Sequence, residues 1–303
     1  MASPLAGKAV LVTGAARGIG EHFARCAAAR GARLALVGLE PERLKAVASD
    51  VDAVWYEADV TDQAAVDAAV AGAAAALGGL DVVVANAGVA NLGTVAITPV
   101  DAVLRTVDVN LGGVIRTVSA TLPHVLASRG YYLLVSSAAA FTALPGMAGY
   151  SAAKAGIEQF GNVLRLETAH RGVRVGVAYP SWVGTDLVRD FASDLPSFRN
   201  APSRLPPPLR PTVTTVQACA EALVRAAEQG RRQVYVPRAG AVAQALRAIR
   251  LSAVGDRMGA ARAGRGQRIE QLEAEVRQLG RWFGRNSAAS WDTAPAPDAD
   301  RKA

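Results

Sequence analysis

The stretch KAVLVTGAARGIG, Lys8 to Gly20, places an apolar run directly before a turn holding Gly14, Gly18 and Gly20. Four consecutive apolar residues bounded by a Gly-rich turn read as a short buried strand. Glycines let the backbone turn sharply and approach a pyrophosphate closely. A helix that follows directs its free N–H groups and its dipole at such an anion. The spacing is Gly-x3-Gly-x-Gly, not the commoner Gly-x-Gly-x-x-Gly. The turn alone therefore leaves open a plain Gly-rich strand–helix connection.

Working outward, short β-rich runs alternate with longer Ala-rich helical runs. Lys8–Val12, Arg33–Val37, Ala53–Tyr56, Leu80–Ala85, Tyr131–Val135, Val173–Ala178 and Gln233–Val236 read as strands. Helices are expected at Gly18–Arg30, Pro41–Ala48, Asp62–Leu77, Pro99–Thr106, Asn110–Ser128, Gly149–Arg171 and Thr215–Gln229. Apolar strands alternating with helices imply a parallel sheet covered on both faces. The expected fold is α/β, a doubly wound seven-stranded parallel sheet of Rossmann-like type with a C-terminal helical extension. Ligands of such sheets bind at the carboxyl ends of the strands. The expected organisation is a nucleotide-binding catalytic domain over 1–237, a basic helical extension over 238–285 and a disordered tail over 286–303.

Composition narrows the function classes. With 51% hydrophobic and 19% charged residues, disorder is excluded for most of the 303-residue chain. Cys26 and Cys219 stand far apart, so neither a disulfide framework nor zinc spacing is available, and no His/Cys/Asp cluster points to a metal. The N-terminal MASPLAGKAVLVTG has no apolar stretch of signal-peptide length, and a cytoplasmic setting is the expectation. Gly130–Ala153 is uncharged and long enough to raise a membrane span, but it carries Pro145, Gly146 and Gly149 and reads better as a buried strand followed by a loop. From Arg238 onward, 12 Arg+Lys face 7 Asp+Glu; residues 1–237 have 21 against 19. The body is nearly neutral and shows no basic stripe with stacking aromatics, so no nucleic-acid partner is expected.

Chemistry concentrates at Ser137, Tyr150 and Lys154. Tyr150 and Lys154 are four apart and share a helix face. An ammonium beside a phenol favours the phenolate, which brings a tyrosine toward working pH. Lys154 is one of four lysines and stands in a segment otherwise free of charge, where an unpaired cation is costly. Ser137 follows an expected strand and is placed to hydrogen-bond a carbonyl oxygen.

The chain resembles the short-chain dehydrogenase/reductases over residues 1–237. The resemblance rests on TGAARGIG at 13–20, Asp59-Val60, Asn86-Ala87-Gly88, Asn110, Ser137, Tyr150-Ser-Ala-Ala-Lys154 and Pro180 to Thr185. It implies that Gly14, Gly18 and Gly20 hold the cofactor pyrophosphate, with Ile19 beside it. Asp59 would contact the adenine, with Val60 next to it, and Asn86 would line the cofactor channel. Asn110 would hold a water linking Lys154 to solvent, Ser137 would polarise the substrate oxygen, and Tyr150 would pass the proton. Lys154 would bind the nicotinamide ribose, and Val183 and Thr185 the carboxamide. The resemblance also implies a homodimer or homotetramer built on helices 110–128 and 149–171. Taken singly, Asp59 and Asn110 read equally as helix caps. The chain departs from the family at Ala85, where a second asparagine is frequent, and at Pro180-Ser181-Trp182, where Pro-Gly is usual.

Cofactor choice turns on the end of the second strand. An acid there selects NAD through the ribose 2′-hydroxyl; the aligned position is Gly38, which repels no 2′-phosphate. Arg17 in the glycine loop reaches such a phosphate, while Glu40 opposes it and Leu39 replaces the arginine frequent in NADP users. Charge complementarity favours NADP(H) over NAD. The expected reaction is hydride transfer between the nicotinamide and a carbonyl or carbinol carbon of a small apolar substrate, with Ala138–Phe141, Leu144–Met147 and Trp182 as walls. The Pro-rich Leu187–Pro211 would be an irregular loop covering them. A non-catalytic nucleotide sensor or scaffold on the same fold is the other class, but it has no need of Asn110, Ser137, Tyr150 and Lys154 together. In the tail, Ile269, Leu272, Val276, Leu279 and Phe283 follow a 3-4-3-4 spacing. Such a helix packs on its own subunit or a neighbour. The alternative, over 239–285, is a basic helix on an anionic membrane with Arg247, Arg250, Arg257, Arg262, Arg265 and Arg268 as its charged face.

Overall fold

A computed structural model describes residues 3–199, 213–253 and 265–284. Pro206–Pro208, Arg257, Arg262 and the tail from 286 lie outside the described residues. Seven parallel strands form one sheet in the order β3-β2-β1-β4-β5-β6-β7. They are β1 (Ala9–Thr13), β2 (Arg33–Gly38), β3 (Val54–Glu57), β4 (Val82–Ala85), β5 (Tyr131–Val135), β6 (Arg174–Pro180) and β7 (Gln233–Val236). The doubly wound α/β fold expected from the sequence is the one observed. The order in which successive strands are added switches side between the parallel neighbours β1 and β4, which opens a crevice at their carboxyl ends.

Strand burial explains the uniform apolar runs. Every residue of β1, β4 and β5 is buried, because helices cover both faces. One face carries α1 (Gly18–Ala28), α2 (Pro41–Val51) and α9 (Val216–Gln229), with Phe23, Leu44 and Leu223 fully buried against Val10, Val12 and Leu133. The other carries α3 (Gln63–Leu77), α5 (Gly113–Ser128) and α6 (Ala148–Thr168), with Val66, Val118 and Ile157 against Leu11, Val83 and Leu134. Caps follow the sequence. The Asp62 carboxylate accepts from the N–H groups of Ala64 and Ala65 at the start of α3, and Pro41 opens α2. The uncharged Gly130–Ala153 run is β5, a loop and the start of α6. Among the described residues no helix is long and apolar enough to cross a membrane.

Two expectations need correction. The expected helix from Asn110 to Ser128 begins with a wide π turn, Asp108–Gly112, that continues α4 (Val100–Val107) into α5. The Gly112-Gly113 pair lets the chain pass close to Val60, since a side chain at Gly113 would meet Val60 Cγ2 at 2.6 Å. The expected loop Leu187–Pro211 is helical in its first part, as α7 (Asp186–Asp194) and α8 (Pro196–Arg199). Pro196 opens α8 and the other prolines follow it in the sequence, the Thr185 hydroxyl caps α7 at the Val188 N–H, and Phe191 is buried beneath it. After β7 come α10 (Gly240–Ala245), α11 (Arg247–Arg250) and α12 (Arg265–Leu279). Arg247, one of the six arginines of the basic face, pairs with Glu158 on α6 at 3.0 Å.

Candidate active site

The glycine turn builds the floor of the crevice from main chain. Gly14 and Gly18 sit at φ +65° and +58°, in the region where a Cβ is strained. A Cβ at Gly20 would lie 2.2 Å from the Gly14 carbonyl oxygen, so the first turn of α1 is pressed directly onto the loop. Asn86 locks this arrangement. Its amide donates to the carbonyls of Thr13 and Gly14 at 3.0 and 3.1 Å, and its N–H donates to the Thr13 hydroxyl. Ile19 packs against the core beneath the turn. An open cleft of about 450 Å³ runs past Gly18, Gly184, Thr185 and Thr215. The N-termini of α1, α7 and α9 all reach it, an arrangement suited to an anion. These residues fit the pyrophosphate of a dinucleotide. Gly14, Gly18 and Gly20 would hold it, with Ile19 beside it, while Val183, which bridges Thr214, and Thr185 would face the nicotinamide carboxamide.

At the ends of β2 and β3 the charges are already engaged. Arg17 pairs with Glu40, two residues past the end of β2, at 2.8 Å. Asp59 accepts from the Thr61 N–H at 2.9 Å and from Arg105 at 2.8 Å. Burial would raise its pKa, but Thr61 and Arg105 outweigh it and hold the carboxyl below its ordinary value. An adenine contact by Asp59 would share that carboxylate with Arg105, a partner on α4 that no local spacing announces. Val60 is buried beside Val89 and Val109.

The polar side of the crevice gathers Asn110, Ser137, Tyr150 and Lys154. The π turn aims Asn110 inward, where its amide donates to the carbonyls of Val89 and Thr106 at 2.7 and 2.8 Å. Its Oδ1 is buried without a hydrogen-bond partner. A Cβ at Gly88 would lie 2.6 Å from that Oδ1 and 3.5 Å from Lys154 Nζ, so Gly88 keeps the space beside Asn110 and Lys154 clear. Lys154 is 3% exposed and donates to the Val135 carbonyl at 2.9 Å. Its Nζ lies 5.5 Å from the Tyr150 ring centre. Ser137 follows β5, hydrogen-bonds the Tyr150 phenol and accepts from the Ala139 N–H.

The electrostatics differ from the expectation that the ammonium lowers the phenol. Burial with a neutral partner pulls Lys154 down to about 7, and burial pushes Tyr150 up, opposed by the Ser137 hydrogen bond. In the protein alone, desolvation therefore outweighs attraction between the two groups. Two ionisable groups displaced from their ordinary values at one sheet edge make this a candidate functional site.

The apolar side is only partly the expected one. Leu144 and Met147 share a cluster with Tyr150, Leu187 and Phe191. Phe141 does not. It is 1% exposed and packs on Tyr179, ring centres 5.6 Å apart, in a separate cluster with Ala138 and Tyr235. Trp182 takes the left-handed backbone, φ +42°, in place of a glycine's freedom after Pro180, at a cost of roughly 1–3 kcal/mol. Sequence reading did not anticipate that Leu272, Val276 and Trp282 complete the cluster around Tyr150. Their helical spacing marks a buried face but not what it covers. Among the described residues no group of His, Cys, Asp and Glu is arranged as a metal site.

The short chain dehydrogenase profile matches residues 8–196. The chain is 40% identical over 191 residues to glycine betaine reductase ATRR of Emericella nidulans, covering 61% of this chain but 15% of that much longer protein. It is 35% identical over 212 residues to the 3-alpha-(or 20-beta)-hydroxysteroid dehydrogenase of Mycobacterium bovis, covering 69% of this chain and 81% of the relative. Oxidoreductase UcpA of Escherichia coli is 35% identical over 195 residues, covering 62% and 74%. The chain belongs to the short-chain dehydrogenase/reductase family, and it is an oxidoreductase of the NAD(P)-using kind.

Proposed function

We propose that the protein interconverts a ketone or aldehyde and the corresponding alcohol on a small apolar substrate, with NADP(H) as hydride carrier. The observation that carries this reading is the meeting of Ser137, Tyr150 and a buried Lys154 at the sheet edge beside the glycine cradle. When bound, the dinucleotide supplies or accepts the hydride. Tyr150 then gives or takes the proton at the substrate oxygen, Ser137 hydrogen-bonds that oxygen, and Lys154 holds the nicotinamide ribose. Asn110, with its free buried Oδ1, orders a water beside Lys154 for proton exchange with solvent. The apolar cluster of Leu144, Met147, Leu187 and Phe191 and the likeness to a hydroxysteroid dehydrogenase both support an apolar alcohol or ketone.

NADP(H) is favoured by Gly38, which presents no carboxylate, and by Arg17 in the glycine turn. The Arg17–Glu40 pair supports a second reading, in which Glu40 accepts from a ribose hydroxyl and NAD is used. Titration of NADPH and NADH by reduced-nicotinamide fluorescence, followed by a panel of ketones and alcohols with the preferred cofactor, tests both. Arg17→Ala weakens NADPH about tenfold or more while sparing NADH if the first reading holds. Equal losses for both cofactors would remove it. Self-association through α5 and α6 belongs to the same proposal, because Ile115, Val163 and Leu166 stand exposed there. Leu166→Glu lowers the mass measured by light scattering if α6 is an interface.

A further inference from the structure

Residues 265–284 lie outside the stretch matched by the family profile, yet they touch the β4–α4 loop, the β5–α6 loop and the α7–α8 segment. At the β4–α4 loop, the Leu92 N–H donates to the Trp282 carbonyl, Asn91 bridges Phe283 and the Thr94 hydroxyl donates to Glu273. The Trp282 ring lies 3.5 Å from where a Cβ on Gly93 would stand. In the β5–α6 loop, a Cβ on Gly146 would be 2.7 Å from Leu272 Cδ2, so Leu272 rests on main chain four residues before Tyr150. At α7 and α8, Glu275 accepts from the N–H and hydroxyl of Ser197 at 3.1 and 2.7 Å, and Arg281 pairs with Asp194. The polar contacts sit around the edge. Leu272, Val276, Leu279 and Trp282 point inward to the cluster that holds Tyr150, Met147 and Phe191.

That division of polar rim and apolar centre is how a binding wall is built. The space left between Leu92, Phe191, Leu279 and Trp282 is about 10 Å³, no more than a single water requires. Leu272 stands outside that space, resting on Gly146 in the same cluster as Tyr150, so a substrate carbon chain running from Tyr150 into the cluster meets Leu272. We propose that segment 265–284 is the substrate-facing wall of the enzyme, and that Leu272 and Trp282 set the length of the uncharged apolar chain that reaches Tyr150. The inference rests on the proposed reading of Tyr150 as the proton donor and acceptor.

The test uses the full chain with its preferred cofactor and methyl ketones from butanone to long-chain members. Leu272→Ala raises the ratio of kcat/KM for long over short ketones by about tenfold or more, and Leu272→Trp lowers it by a similar factor. Leu272→Met keeps the wild-type ratio, and thermal melting verifies that each variant is folded. If Leu272→Ala fails to fold, Leu272→Val and Trp282→Phe carry the comparison, each raising the long-over-short ratio by about threefold or more. A uniform loss on all ketones, with the ratio within about twofold of wild type in every folded variant, would overturn the wall and leave 265–284 a structural brace. If the wild type turns over no ketone or alcohol, the reading of Tyr150 fails on its own. Calorimetric Kd values for the same ketones then give the long-to-short ratio, and an unchanged ratio across the variants overturns the wall as well.

Discussion

The floor of the crevice at Thr13–Gly20 is made of main chain, whereas the wall at residues 265–284 presents mostly side chains to the cluster around Tyr150. On the floor, close approach is the device. A methyl group at Gly20 meets the Gly14 carbonyl oxygen at 2.2 Å, and Asn86 ties that carbonyl and the Thr13 carbonyl in place. Such a surface recognises a pyrophosphate common to every dinucleotide and tolerates almost no substitution. On the wall, Leu272, Val276 and Trp282 fill space, and polar contacts to Thr94, Ser197 and Asp194 hold them there. Such a surface accepts exchange of one side chain for another, and so suits the part of a site that must differ between enzymes.

The largest effect expected from this contrast falls on the floor. Gly20→Ala costs about 3 kcal/mol of stability and at least about tenfold in dinucleotide affinity, because neither the Gly14 carbonyl nor Asn86 has room to give. Melting curves and reduced-nicotinamide fluorescence check it. An affinity equal to wild type would mean that the turn does not carry the cofactor.

Next comes the pH response of the polar side. Lys154 is held at about 7 in the fold against an ordinary 10.5. Across that interval the unfolded chain binds a proton that the folded chain has released, so this lysine's contribution to stability rises with pH from about 7 upward. Below about 7 the cost of burying the ammonium is fully present. Between pH ~7 and ~9, wild type gains roughly 2 kcal/mol relative to Lys154→Met. Denaturant titrations at the two pH values measure the difference, and parallel behaviour of the two proteins would show Lys154 to be solvated.

The smallest effect belongs to the wall's edge. Arg281→Met removes the ion pair with Asp194, whose side chain is 2% exposed and keeps its other contacts. Arg281 itself is partly exposed, so the expected cost is about 1 kcal/mol. It is felt as faster hydrogen exchange in residues 265–284 with no change in β1 or β5 and no change in dinucleotide affinity. Uniform loss of protection through the sheet would erase the distinction between floor and wall.

The same contrast explains what was legible in the sequence. Main-chain devices leave signatures of fixed spacing, so the Gly14–Gly20 turn, the seven strands and the pairing of Tyr150 with Lys154 on α6 were all readable. Contacts between distant side chains leave none. Arg105 reaching Asp59, Glu40 occupying Arg17 and Leu272 resting on Gly146 join segments far apart in the chain. The 3-4-3-4 spacing of α12 showed that a face is buried but not against what. Prolines beyond residue 200 made the whole of Leu187–Pro211 look irregular, although a threonine cap and Phe191 suffice for α7. Phe141 looked like a pocket wall because local sequence does not say on which side of the sheet an aromatic falls.

The most direct measurement is the rate of hydride transfer in a single turnover, with wild type and Tyr150→Phe each saturated with NADPH and mixed with an apolar ketone. The loss of one phenolic proton lowers the rate by about a thousandfold, with the NADPH Kd unchanged. A Tyr150→Phe rate equal to wild type would contradict the assignment of proton transfer to this helix.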